Sequence, residues 1–144
     1  IVRELLTAQH RRKGTNLNEA MKFFNRSSKQ KSIAFIMSDF LDDKYDDNLR
    51  VISARHDVIG LKVYDKMDMQ LPAIGMWQVQ DLETGKTKWL DTSDKMVQYN
   101  YQQHFLQQSN LCKSIFRRAG AELLHLRTDE DYVKILQQFF HKRK

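Results

Sequence analysis

The spacing of apolar and polar positions changes several times along the chain, and each change marks an element. Val2, Leu5, Leu6 and Gln9 fall on a helical spacing, so residues 1–9 read as the end of a helix that "RRKGTN" breaks. Asn16 is an N-cap candidate for a helix from Leu17 to Ser27. Glu19 at its third position completes a capping-box-like pair, and Leu17, Ala20, Met21 and Phe24 form the apolar face. In "KSIAFIMSDF" the apolar run of Ile33, Ala34, Phe35, Ile36 and Met37 predicts a strand from Ser32 to Ser38, buried on both faces. "YDDNLRVISARH" predicts a helix over 45–55 with Leu49, Ile52 and Ser53 inward, and "VIGLKVYD" a second buried strand from Val58 to Asp65. "IGMWQVQD" and "KTKWLD" alternate around "LETG", which predicts a hairpin with strands near 74–80 and 86–91, Pro72 lying in the loop before it. Trp77 and Trp89 then face one another as a cross-strand aromatic pair. Thr92, Ser93 and Asp94 offer N-caps for a long helix from Asp94 to Ala119, which Gly120 ends. "AELLHLRT" predicts a third buried strand, Ala121 to Thr128. The chain closes with an amphipathic helix whose stripe is Tyr132, Ile135, Leu136 and Phe139.

Helices and strands alternating in this way indicate an α/β protein with a parallel sheet and right-handed crossovers. Ligands of such sheets bind outside the carboxyl ends of the strands. Asp39, Asp65 and Thr128-Asp129 stand at those ends, and Thr15 lies in a loop that can reach the same edge. Hydroxyls and carboxylates meeting there are hard oxygen ligands suited to Mg²⁺, Mn²⁺ or Ca²⁺. The structural reading is plainer: Asp39 caps the turn toward the 45–55 helix, and Thr15 caps its own helix. On that reading Asp42, Asp43, Asp46 and Asp47 form a solvated loop and an acidic first helical turn.

Composition narrows the chemistry. The 144 residues suit one domain, with 41% hydrophobic and 29% charged residues, an ordinary globular balance. No apolar run approaches the roughly 18–20 residues that cross a bilayer. No signal-peptide order is visible at the start, and the missing initial Met marks the chain as a piece of something longer. The single cysteine, Cys112, excludes an internal disulfide and a Cys-based zinc site, fits a small buried packing residue, and suits a reducing compartment. The five histidines share no ligand spacing, and no Ser-His-Asp order, nucleophile elbow or phosphate-cradling glycine loop is present. The net charge of +6 comes mostly from "HRRK", "FRR" and the terminal "HKRK". Without interleaved aromatics these clusters read as helix ends and a tail rather than as a nucleic-acid surface.

"KGTNLNEAMKFF" followed by "SIAFIMSDFLD" resembles the von Willebrand factor A fold, in which a "GTNL" loop-helix precedes an apolar strand ending in aspartate. Through "ARHDVIGLKVYDKMDMQLPAIGMWQVQDLETGKTKWLDTS" and "TDEDYVKILQQFFHKR" the chain is similar to an uncharacterised conserved bacterial family that carries this domain and is encoded beside MoxR-type AAA+ ATPases. The resemblance implies a single von Willebrand A-like domain over 1–144 that lacks its N-terminal portion. Its fold would be a three-layer, mostly parallel Rossmann-like sheet with a β-hairpin insertion, the first strand missing from the chain. It also implies a metal-ion-dependent adhesion site, in which Thr15 and Asp39 match the threonine and aspartate ligands. The upstream D-x-S-x-S element has no counterpart here, so Mg²⁺ or Mn²⁺ is expected in the full-length protein and none on this chain alone. The function so implied is a non-enzymatic, cytoplasmic protein–protein interaction module working with a MoxR-type ATPase. An alternative is a divalent-metal nuclease or phosphoryl-transfer domain using Asp39, Asp42 or Asp43, and Asp65. A third is a truncated sheet whose exposed edge drives self-association.

Overall fold

In a computed structural model, residues 16–42, 44–80 and 85–143 are described. The helix expected over 1–9, Thr15, Asp43 and the hairpin tip lie outside them. The elements in chain order are α1 (Leu17–Ser27), β1 (Ile33–Ser38), α2 (Asp46–Ser53), β2 (Asp57–Tyr64), α3 (Lys66–Met69), β3 (Met76–Gln80), β4 (Thr87–Asp91), α4 (Lys95–Ala119), β5 (Glu122–Arg127) and α5 (Tyr132–Lys142). β1, β2 and β5 form a parallel sheet in that order, and β3 and β4 pair antiparallel as a separate hairpin. The parallel α/β class and the hairpin are as the periodicity predicts.

Alternation along β2 divides the core. Val58 joins Leu49, Ile52, Cys112, Ile115 and Phe116 in one cluster, under α1, α2 and α4. Ile59 and Leu61 join Leu126 in another, under Ile135, Leu136 and Phe139 of α5. Three layers result: three helices, the sheet, and one helix. At the centre, a Cβ on Gly60 would lie 2.4 Å from Phe116 ring carbons and 2.9 Å from Leu123 Cδ1. The closeness of α4 to the sheet therefore depends on a strand residue without a side chain.

Caps fix the helix ends. Asn16 accepts Glu19 N–H at 2.9 Å, while the Glu19 carboxylate pairs with Lys22 at 2.8 Å. Asp94 accepts Met96 N–H at 2.7 Å, and Gly120 closes α4 in the left-handed conformation, φ +71°. The basic clusters also serve the fold. Arg118, in the last turn of α4, pairs with Asp46 at 2.7 Å. Arg143 holds Asp57 at 2.6 Å and Glu122 at 3.0 Å while lying over the Phe139 ring, which pins the end of α5 to the starts of β2 and β5.

Two expectations are corrected. β1 is not buried on both faces: Ile33, Phe35 and Met37 are 59%, 52% and 68% exposed. The reason is position: β1 and β5 are both edge strands, but α5 packs over β2 and β5 and touches β1 at Phe35 through Phe140. Nor do the tryptophans pair. Trp77 stands opposite Leu90 and Trp89 opposite Gln78. A one-residue offset sends neighbouring side chains to opposite faces of a hairpin.

Gly60→Ala is expected to cost about 1–3 kcal/mol through overpacking against Phe116, read as a lower urea midpoint at unchanged slope. The outer edge of β1 has no partner strand among the described residues, so light scattering over a dilution series should show mass rising with concentration. Phe35→Lys should hold the chain monomeric throughout.

Candidate functional site

The carboxyl ends of β1 and β2 lie side by side, Ser38 registered with Lys62. Past Ser38 the chain turns sharply. Ser38 Oγ accepts Phe40 N–H at 3.1 Å, and Asp39 Oδ1 accepts Leu41 N–H at 3.3 Å. Phe40 takes φ +53°, a left-handed conformation that costs a non-glycine residue about 1–3 kcal/mol. Burial of its ring against Phe116, at 5.1 Å between centroids, and Tyr45, at 5.8 Å, offsets about that amount. Asp42 ties this loop to α1, its Oδ2 accepting Leu17 N–H at 3.2 Å and its Oδ1 accepting Lys44 N–H at 3.0 Å. The amino end of α1 and the end of β1 thus meet at one edge.

At this edge stands a residue that the sequence reading passed over. Lys62 projects from β2 toward α4, is 2% exposed, and donates from its ammonium to the Asp39 carbonyl oxygen. Burial lowers its pKa; Cys112, Asp39 and Asp68 act in the opposite direction. The signal was available: Lys62 shares the parity of Val58 and Gly60 and is the one cation inside an apolar run.

Above Lys62 opens a cavity of about 290 Å³. Leu41 and Tyr64 form part of its wall, and α4 supplies Tyr101, His104, Phe105 and Gln108 at helical spacing. α4 can do this because of its length. Its 25 residues span about 37 Å, whereas the 8 of β2 span about 26 Å, so the first half of α4 overhangs the strand ends. Tyr101 is fixed by its hydroxyl, which donates to the Met67 carbonyl at 3.1 Å. Asp39 and Asp68 flank the cavity.

The other strand-end acids are already engaged, Asp129 in an ion pair with Arg127 and Asp65 in a cap. Asp65 starts α3, a four-residue helix that its apolar pattern did not announce. Asp65 Oδ1 accepts Met67 N–H at 2.9 Å, Oδ2 accepts the Thr128 hydroxyl at 2.7 Å, and Asp65 N–H in turn donates to Asp68 Oδ2 at 2.6 Å. The Met67 amide, and then the Thr128 hydroxyl, hold the Asp65 carboxyl below its usual range. Asp46 and Asp47 lie in the first turn of α2. Cys112 is buried and accepts the Tyr45 hydroxyl at 3.4 Å, and burial pushes its thiol pKa up, as suits a packing residue.

A divalent ion on Asp39 does not fit the described residues by themselves. Asp39 Oδ1 is taken by backbone and Ser38, the Lys62 ammonium already occupies the Asp39 carbonyl, and Thr15 lies outside the described residues. Among the described residues no group of three or more His, Cys, Asp or Glu side chains is arranged to hold a metal. Nor is any described helix long and apolar enough to cross a membrane.

With this geometry in view, comparison with known proteins places the chain. Residues 1–111 match the family described as "Protein of unknown function DUF58", and the chain belongs to that family. It is 31% identical over 130 residues to the uncharacterised protein MAV169 of Mycobacterium avium, covering 90% of this chain and 76% of that protein. It is 30% identical over 130 residues to uncharacterised proteins of Mycobacterium bovis (Mb1516) and Mycobacterium tuberculosis (Rv1480). There it covers 90% of this chain but spans 41% of their length. No solved structure gives a significant match.

His125 of β5, beside Tyr64 and near Lys113 and Lys62, carries a buried Nε2 without a partner among the described residues. Burial first, then the two lysines, lowers its pKa from 6.5 to about 4. Between those values the unfolded chain binds the proton that the fold refuses, so this contribution to stability is complete above 6.5 and is lost as pH falls toward 4. Urea midpoints at pH 7.5, 5.5 and 4.5 should show that loss in the native chain, and a flatter profile in His125→Gln.

Proposed function

We propose that this chain is a non-enzymatic protein–protein interaction module that meets its partner at the carboxyl edge of its parallel sheet, and that it works with a MoxR-type AAA+ ATPase in the cytoplasm. The observation that carries the reading is the strand-end cleft: a buried cation, apolar and aromatic walls, and an overhanging helix. Such a site combines burial for affinity with a buried cation for orientation. The likeness of "KGTNLNEAMKFF" and "SIAFIMSDFLD" to von Willebrand A domains supports use of the same edge.

The competing reading, a metal-dependent nuclease or phosphoryl-transfer domain, gains no support from the aspartates. Asp42 and Asp65 are committed to helix ends, and Asp43 lies outside the described residues. An in-line displacement with two metals needs carboxylates converging on one point.

The test is interferometry with the purified MoxR-type ATPase of the same genome, against this chain and against a polypeptide extended upstream through the strand that the resemblance places there. Mg²⁺ and Mn²⁺ are titrated calorimetrically into both. Saturable micromolar binding that Leu41→Asp weakens at least tenfold is expected, Leu41 being an exposed wall of the cleft. A calorimetric signal with the longer polypeptide alone, lost on Asp39→Ala, would assign a metal to Thr15 and Asp39. Absence of ATPase binding by both polypeptides overturns the partnership.

A further inference from the structure

From the position of Lys62 we infer that the strand-end cleft recognises a carboxylate directly, as a glutamate side chain presented by the protein partner, without an intervening metal ion. The inference rests on reading this edge as the partner surface and adds the chemistry that the surface selects.

Lys62 is 98% removed from solvent, yet its ammonium has three donors and one goes to the Asp39 carbonyl. A buried ammonium with donors to spare is costly, and an anion entering the cavity that it lines relieves that cost. The same ammonium repels a divalent cation brought to the Asp39 carbonyl, which is why metal and lysine are alternatives at this point. The neighbouring acids are already engaged: Asp39 Oδ1 takes Leu41 N–H, and Asp68 Oδ2 takes Asp65 N–H. With two aspartates and one lysine facing the cavity, a phosphate or other dianion is rejected more strongly than a monoanion. The rest of the lining is shaped for a stem: Leu41, Tyr64 and Phe105 offer apolar contact for methylene groups, while His104 and Gln108 bring further donors. A carboxylate on a short aliphatic stem matches both halves.

The experiment is an amide chemical-shift titration of the labelled 144-residue chain with three probes: the blocked pentapeptide Ala-Ala-Glu-Ala-Ala, its Gln twin, and butyrate. The glutamate peptide should shift Leu41, Lys62, Tyr101 and His104 with a Kd on the order of millimolar, and the Gln twin should bind at least tenfold more weakly. Lys62→Met should abolish the shifts. Should that variant not fold, His104→Glu, at an exposed position of α4, should abolish them by filling the cleft with a rival carboxylate. Equal binding of the two peptides, no shift with either, or dependence of the glutamate shifts on added Mg²⁺ each overturns the inference. Butyrate binding tenfold tighter than the peptide points to a free small acid and overturns the partner side chain. ATPase binding that survives both variants unchanged also sinks the inference while leaving the interaction module standing. A glutamate-selective cleft with no ATPase binding sustains the inference and removes that partner instead.

Discussion

The contact on which the rest of the molecule depends is the edge of the Phe116 ring against the backbone of Gly60. Strand β2 carries no side chain where α4 crosses it, so the helix sits closer to the sheet than any Cβ would permit. Phe40 and Tyr45 then close on the same ring, which gathers the end of β1 and the start of α2 onto α4. The strained φ of Phe40 is tolerated because its side chain belongs to this cluster. One close approach therefore sets the height of the long helix, the turn after β1, and the cleft between them.

The electrostatics of the cleft follow from the same placement. A lysine on the α4 side of β2 is shut off from all but the cleft once α4 lies across it, and its ammonium donates to the carbonyl of the strained loop. Replacing such a cation by an apolar side chain is often neutral for folding or better, so burial alone does not explain its presence. Lys62 is better understood by what it faces than by what it stabilises. Two other basic residues contrast with it: Arg118 and Arg143 lie at helix ends, partly exposed, and pair with acids of neighbouring elements.

Much of the fold was legible because its cues are local. Asn16, Asp94 and Gly120 cap where their types predict, and the apolar blocks and the hairpin fall within a few residues of their expected limits. What escaped was set at a distance. Exposure of Ile33, Phe35 and Met37 depends on which strands α5 covers, and an apolar run reads alike whether or not a helix lies over it. The tryptophan offset is a one-residue matter of register that periodicity on each strand leaves open. Of the candidate site, Asp39 was legible from its place after an apolar run. Lys62 was hidden by the habit of reading a buried strand for its apolar residues, and the α4 stripe by a helix whose first half faces a cleft instead of a core.

The two ends of the sheet are built to different degrees of completion. At the starts of β2 and β5, Arg143 binds Asp57 and Glu122 and lies on Phe139, closing that end. Along the outer edge of β1 the ladder of backbone groups has no strand beside it among the described residues, and apolar side chains flank it. A bare edge of this kind is a liability that proteins usually blunt with charge, proline or a covering element. β1 carries none of these within Ile33–Ser38. The hairpin is treated differently. Its base is held by buried Thr92, whose hydroxyl donates to the Gly75 carbonyl at 2.8 Å and accepts Ile74 N–H at 3.1 Å, while Trp89 stands 64% exposed beyond it. A firmly held base with an exposed aromatic is a geometry for presenting a side chain, whereas an unblunted edge is one for receiving a strand. The cleft at Lys62 lies where β1 ends, so whatever comes to lie along that edge also helps define the mouth of the cleft.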